Sequence, residues 1–245
     1  MKRFYCGNAD ITGSYIYIKD TKELHHIKNV LRMKVNDKVV VFNDKGYEYE
    51  GAIHKINPDF VAVKIQKIKT AATRDNKINI AIACAVPKSS KMDDIIDKLT
   101  QLGANRIIPL LTEHTVVRWN NEQKEKHHQR WQKIALSASK QSQRSGLPIV
   151  EPVRGIGEVF SKAGDFDLKL IPTLGGSHKP LKDVFIRSDY KEILILIGPE
   201  GDFSVQEVEL AVQKGFIPVS LGDLVMRVET AAIAVVSFIK LYLSR

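Results

Sequence analysis

The sequence predicts an α/β protein in two parts, a small all-β domain followed by a larger domain in which strands and helices alternate. Three observations carry this. The first 70 residues show apolar alternation of period two, broken by Asn, Asp, Gly and Pro. From about Lys77, continuous apolar runs alternate with patterns of helical period. Between them the polar stretch "TAATRDNK" has no period and reads as a linker. The expected boundaries are 1–70, a linker at 71–77, and 78–245.

In the first part, "SYIYIKD", "DKVVVFND", "YEYEGAIHKI" and "FVAVKIQKI" read as short strands, and strands at this spacing suggest a small barrel. A helical turn at "TKELHHIKNVLR" interrupts them. In the second part, "INIAIAC", "RIIPLL", "LKLIP", "ILILI" and "IPVSL" read as buried strands. In "KMDDIIDKLTQLG", Met92, Ile95, Ile96, Leu99 and Leu102 fall on one helical face, and Gly103 is placed to end the helix. Ser204 and Glu207 form a capping box that opens "SVQEVELAVQKG". Alternating β and α implies a largely parallel sheet covered by helices.

Composition narrows the class. With 44% hydrophobic and 27% charged residues, the 245-residue chain reads as an ordinary globular protein. "AAIAVVSFI" is too short to span a bilayer, and "MKRFYCGNAD" lacks the apolar core of a signal peptide, so a cytoplasmic protein is expected. Cys6 and Cys84 have no second Cys or spaced His nearby, which argues for buried free thiols and against a zinc or redox site. The net charge of +9 suits a polyanionic partner, although a lysine-rich composition alone would give it. Residues 1–70 hold 13 Lys+Arg against 8 Asp+Glu, and 71–245 hold 24 against 20, so the smaller part is the more basic per residue.

Ligands of open α/β sheets sit at the carboxyl ends of strands. There "ILILIGPEGDFS" places Gly198, Pro199, Glu200, Gly201 and Asp202 between a strand and a capped helix. No Walker or dinucleotide fingerprint is present, and Glu200 and Asp202 would repel phosphates, so a phosphate-free ligand fits better. A tight turn needing glycine only for its geometry is the competing reading. "IPVSLGDLVMRVETAA" repeats the design, with Leu221-Gly222 after a strand and Arg227 and Glu229 where a long helix begins. Glu229 complements the helix dipole there, whereas Arg227 is unfavourable and needs another reason. "IPTLGGSHKPL" supplies a third such loop. Three loops of this kind suggest one composite pocket.

The stretches "IGPEGDFS", "LGDLVMRVETAA", "HHIKNVLRMKVND" and "KLTQLGANRIIPLLTEHTVV" resemble motifs of the RsmE family, and the resemblance spans essentially the whole chain. These are SPOUT-class methyltransferases that modify N3 of a uridine in 16S ribosomal RNA. The resemblance implies a PUA-like or OB-like N-terminal barrel, a C-terminal α/β domain with a deep trefoil knot, S-adenosylmethionine as cofactor, no metal, and a homodimer. It assigns the cofactor pocket to Thr173, Leu174, Gly175, Gly176, Ile197, Gly198, Pro199, Glu200, Gly201, Asp202, Leu221, Gly222, Leu224, Val225, Met226 and Arg227. The chain departs from the family pattern at Asp202, where Gly is usual, and at Leu224, where Arg is common. It departs again at Ser137 and Lys140, where acidic residues are frequent.

Methyl transfer from a sulfonium is an in-line displacement, and uridine N3 must lose its proton to become a nucleophile. Arg227 is the expected cation that stabilises the deprotonated uracil, and Glu229 is either a base or a helix cap. N3 lies on the pairing edge, so the base must be unpaired or flipped. His26, Lys28, Arg32 and Lys34 on the N-terminal domain are expected RNA contacts, and "KQSQRSGLP", with Lys140, Gln141, Gln143, Arg144 and Ser145, reads as an RNA-facing or active-site edge, a plain helix end being the alternative. For the lysines a solvated helical face is the alternative. His127, His128, Trp119 and Trp131 carry no functional expectation. Two other functions stand beside the ribosomal one, a non-catalytic RNA-binding assembly factor and a SPOUT methyltransferase acting on a different RNA.

Overall fold

The computed structural model describes residues 1–7, 10–43, 45–70, 78–88, 91–144, 146–185 and 189–243. The expected linker at 71–77 and Ser145 lie outside them. The chain divides into two compact units, one of residues 1–75 with 139–147 and the other of residues 76–138 with 148–245.

In the first unit the strands are β1 (Lys2–Tyr5), β2 (Ile11–Thr12), β3 (Tyr15–Ile18), β4 (Lys38–Phe42), β5 (Tyr47–Ile56) and β6 (Val61–Thr70). They form one sheet in the order β1-β4-β5-β6-β3-β2, antiparallel except where β1 lies parallel to β4. The period-two pattern sends Ile16, Ile18, Val39, Val41, Ile53, Val61 and Val63 inward onto Phe4. Helix α1 (Thr21–His25) starts where the Asp20 carboxylate accepts the backbone N–H groups of Lys22 and Glu23, each at 3.0 Å. A π-helical turn, His26–Val30, follows it directly. Such turns are uncommon and gather at functional sites.

The second unit contains β7 (Asn79–Ala85), β8 (Arg106–Leu111), β9 (Ile149–Val150), β10 (Arg154–Gly155), β11 (Leu168–Pro172), β12 (Lys179–Pro180), β13 (Glu192–Ile197) and β14 (Ile217–Ser220). Its helices are α2 (Lys91–Gln101), α3 (Asn121–Gln141, whose last turn groups with the first unit), α4 (Ile156–Ser161), α5 (Val205–Gln213) and α6 (Val228–Leu243). The strand order is β10-β8-β7-β13-β11-β14-β12, with β9 beside β8 and every pair parallel. This is the mixed α/β architecture the sequence predicts. The unbroken run in β13 has a direct cause, because the strand is buried on both faces. Ile193, Ile195 and Ile197 pack into a core with α2 and α6, while Leu194 and Leu196 pack into a second core with α4, Phe203 and Phe216. Each such side chain contributes about 1.5–3 kcal/mol when fully buried.

Between β11 and β13 the chain passes through the 3-10 turn Leu181–Val184 on the α6 face of the sheet. Phe185 there packs against Phe238 and Tyr242 of α6, with ring centroids 5.7 and 5.6 Å apart. The last helix and this connection thus pack on the same face of the sheet.

Candidate active site

The loops after β11, β13 and β14 leave the carboxyl ends of three adjacent strands and close around one cavity of about 250 Å3. Of the residues expected there, Thr173, Leu174, Ile197, Gly198, Pro199, Glu200, Asp202, Leu221, Gly222, Leu224, Val225 and Met226 line it. Gly175, Gly176, Gly201 and Arg227 do not. Gly175 and Gly176 sit on an open loop tip, where an added Cβ would meet nothing within 4 Å. Gly201 is packed instead by the His114 side chain, 3.5 Å from where its Cβ would be. Sequence reading missed His178, Ser220 and Asp223, which also line the cavity. His178 and Asp223 lie in two of these loops and Ser220 ends β14, so their position at or after a strand end was the available signal.

Local chemistry shapes each loop. A Cβ at Gly198 would stand 3.0 Å from the Phe203 ring, so glycine fits closely against that buried side chain. Gly222 has φ +124°, a conformation open to glycine, and its N–H donates to Ser220 Oγ at 3.1 Å. Asp202 has φ +58°. Its Oδ2 accepts the Leu174 N–H at 2.8 Å and lies 3.2 Å from Thr173 Oγ1, and its Oδ1 accepts the Phe203 N–H at 2.8 Å. Behind this loop, His114 Nδ1 donates to the carbonyls of Asp202 and Gly201 at 2.9 and 3.1 Å. The capping box is present, and Glu207 also accepts the Glu113 N–H at 2.9 Å.

The cavity is acidic and apolar. Glu200, Asp202 and Asp223 line it, and among the described lining residues there is no Lys or Arg. Leu224 and Val225 stand at its mouth 80% and 75% exposed. Beside it, Glu229 opens α6, with Oε1 3.1 Å from Lys91 Nζ and Oε2 buried without a hydrogen-bond partner. Burial alone would raise the Glu229 carboxyl, but its own backbone N–H, the Lys91 ammonium and Arg227 outweigh it and hold it below the ordinary glutamate value. Arg227 is exposed at the start of α6. Burial, reinforced by Glu229 and Glu200, pushes the Cys84 thiol far up. No cluster of three or more His, Cys, Asp or Glu suited to a metal occurs among the described residues.

A family model for the RNA methyltransferase domain matches residues 74–240, and one for the RNA methyltransferase PUA domain matches 18–66. Ribosomal RNA small subunit methyltransferase E of Bacillus subtilis (strain 168) is 31% identical over 223 residues, covering 89% of this chain and 87% of its own. The chain belongs to the RsmE family. The enzyme of that name from Rickettsia conorii is 30% identical over 98% of this chain and 95% of its own. A crystal structure of ribosomal RNA small subunit methyltransferase E from Neisseria gonorrhoeae bound to S-adenosyl methionine superposes with a TM-score of 0.85. It is 30% identical and covers 99% of this chain and 98% of its own. A methyltransferase from Legionella pneumophila in complex with the same cofactor gives 0.85 at 28% identity, covering 98% and 97%.

On the PUA-type unit of this RsmE chain, the expected RNA contacts divide into two groups. His26, Arg32, Lys34 and Gln141 are exposed. Arg32 carries φ +49°, a conformation that is strained for a long side chain. Lys28 is instead turned inward, donating to the carbonyls of Asn57 and, at 2.7 Å, Pro58. Lys140 is ion-paired with the buried Glu23, and burial lowers its pKa. Arg144 gives its carbonyl to Arg3 Nη2 at 2.8 Å. Lys28 and Lys140 therefore hold the unit together, a use that the charge pattern alone does not reveal.

Proposed function

We propose that this chain transfers a methyl group from S-adenosylmethionine to N3 of a uridine in small-subunit ribosomal RNA. The observation that carries the reading is the cavity itself. Its acidic, phosphate-averse lining and apolar mouth suit a ligand that joins a cationic sulfonium to an adenine ring. S-adenosylmethionine, when bound, supplies an electrophilic methyl group. The chain's own residues do the rest. Backbone groups of the three loops would hold the adenosine and methionine portions, with the exposed Leu224 and Val225 at the cavity mouth beside them. The guanidinium of Arg227 stabilises the negative charge on the uracil as N3 loses its proton. Glu229, ionised and held by Lys91, fixes the first turn of α6 and so the position of Arg227. Its low pKa makes it a poor base, which favours the capping reading.

His26, Arg32 and Lys34 hold RNA phosphates, a contact that positions without reading sequence. The working form is a homodimer, as the family resemblance implies, and Leu241, 78% exposed near the end of α6, is the kind of apolar side chain a second copy would cover. No described helix is long and apolar enough to cross a membrane. A ribosomal substrate places the enzyme in the cytoplasm.

The test is to incubate the chain with methyl-labelled S-adenosylmethionine and small-subunit RNA, free or assembled, and to map the product by mass spectrometry. A single added methyl on the base of one uridine is expected. Label on a ribose, or none, would remove the assignment.

A further inference from the structure

We infer that Asp202 is a positioning residue, whose carboxylate ties the loop after β13 to the loop after β11 and so preforms the cavity. The inference rests on the proposed binding of S-adenosylmethionine there. The backbone at 202 is left-handed, with φ +58°, which accounts for the glycine that the family resemblance leads one to expect at this position. Asp and Asn tolerate that conformation better than other side chains do. What Asp adds is contact across 28 residues of sequence: Oδ2 accepts the Leu174 N–H at 2.8 Å and sits 3.2 Å from Thr173 Oγ1. Oδ1 is occupied by the Phe203 N–H at 2.8 Å.

Both oxygens accept hydrogen bonds from the loops themselves. The carboxylate is well placed to hold one wall of the site against another. Within the loop after β11, Thr173 Oγ1 accepts the Gly175 N–H and lies beside the Gly175 carbonyl, at 3.3 Å each, and the Thr173 N–H donates to the Val219 carbonyl. Asp202 adds the tie to the neighbouring loop. Leu174 is 58% exposed, and the Cβ positions of Gly175 and Gly176 face open space. The other side of the Asp202 loop is fixed by His114, whose Nδ1 donates to the carbonyls of residues 201 and 202. The strand-end loops after β8, β13 and β11 are thus joined in series through one short turn, and Asp202 is the link that a glycine would lack. Preorganising a loop raises affinity by reducing the ordering cost of binding.

The experiment compares the full-length chain with Asp202→Gly, which relieves the backbone, and Asp202→Asn, which keeps one acceptor oxygen and the tolerance for left-handed φ. Calorimetric affinity for S-adenosylmethionine is expected to fall about tenfold in Asp202→Gly, the scale of one charge-assisted hydrogen bond, and less in Asp202→Asn. In methyl transfer the loss appears in KM for the donor, not in kcat. Exchange protection of the Leu174 amide, read by NMR without ligand, is lost in the same order, while the melting temperature does not follow that order. Unchanged Leu174 protection in Asp202→Gly, or lost protection with unchanged donor affinity, overturns the inference. Failure of the unmodified chain to bind the donor counts against the proposed function instead, and the Leu174 amide still reports on the tie.

Discussion

Lys91 Nζ lies 3.1 Å from Glu229 Oε1, joining the first turn of α2 to the first turn of α6. The side chains are 37% and 23% exposed, so the pair is worth about 1 kcal/mol or less. A double-mutant cycle on Lys91→Ala and Glu229→Ala should return a coupling of about 0.5–1 kcal/mol at neutral pH. The folded-state pKa of Glu229 is lowered, so its contribution is present above the unfolded glutamate value and is lost as pH falls through the folded one. The coupling should therefore vanish in acid. A coupling that persists at low pH would mean the contact is not ionic.

Arg227 is the residue on which turnover depends in this account. Arg227→Ala should lower kcat by about 10²–10³, the usual loss when one stabiliser of developing charge is removed. Donor affinity should change little, since Arg227 does not line the cavity. Single-turnover kinetics with calorimetry separates the two effects, and a rate near that of the parent would take Arg227 out of the mechanism.

Gly198 and Gly222 should respond differently to alanine. At Gly198 the new methyl must displace the Phe203 ring, costing about 1–3 kcal/mol of stability by overpacking. At Gly222 nothing lies within 4 Å, so the penalty is the left-handed backbone at φ +124° in an exposed cavity loop. Thermal melts and donor titrations should show Gly198→Ala losing mainly stability and Gly222→Ala losing mainly affinity.

Two histidines should titrate on opposite sides of 6.5. The carbonyl of Asp202, then that of Gly201, hold His114 above it despite some desolvation. Burial, then Arg130, holds His127 below it against Asp93. His127 is stacked on Trp119 with ring centroids 4.0 Å apart. The His114 contribution is thus present below the unfolded value and lost as pH rises through the folded one, whereas His127 weakens the fold as pH falls below 6.5. NMR titration of the imidazoles reads both, and equal midpoints would contradict the two environments.

On the N-terminal unit, Arg32→Ala should weaken RNA binding and reduce the slope of log K against log salt by about 0.7–0.9, one phosphate contact. Lys28→Ala should instead lower the melting temperature, because its ammonium holds the carbonyls of Asn57 and Pro58. Filter binding across a salt series distinguishes the two roles.

Much of this architecture is legible locally. The alternation of "SYIYIKD" gives β3, the doubly apolar "ILILI" gives β13, and Ser204 with Glu207 gives the start of α5, because each signal is set by neighbours within a few residues. Gly103, at φ +87°, closes α2 as its position suggests. The three glycine loops were visible for the same reason. What the sequence hides is contact over long separations. The parallel pairing of β1 with β4, the Glu207 bond to the Glu113 N–H, the Lys140 pair with Glu23 and the Lys91 pair with Glu229 all join segments that share no local pattern. Asp202 reads in the sequence as a departure from the family. Its reason lies in a loop 28 residues away.

The central claim is that the loops after β11, β13 and β14 enclose one methyl donor per chain. Isothermal titration of the intact chain with S-adenosylmethionine tests it most directly. Saturable binding at one equivalent, with chemical-shift changes in the amides of Leu174, Gly198 and Gly222 together, is the predicted outcome. Absence of binding heat, or shifts confined to one of the three loops, would contradict it.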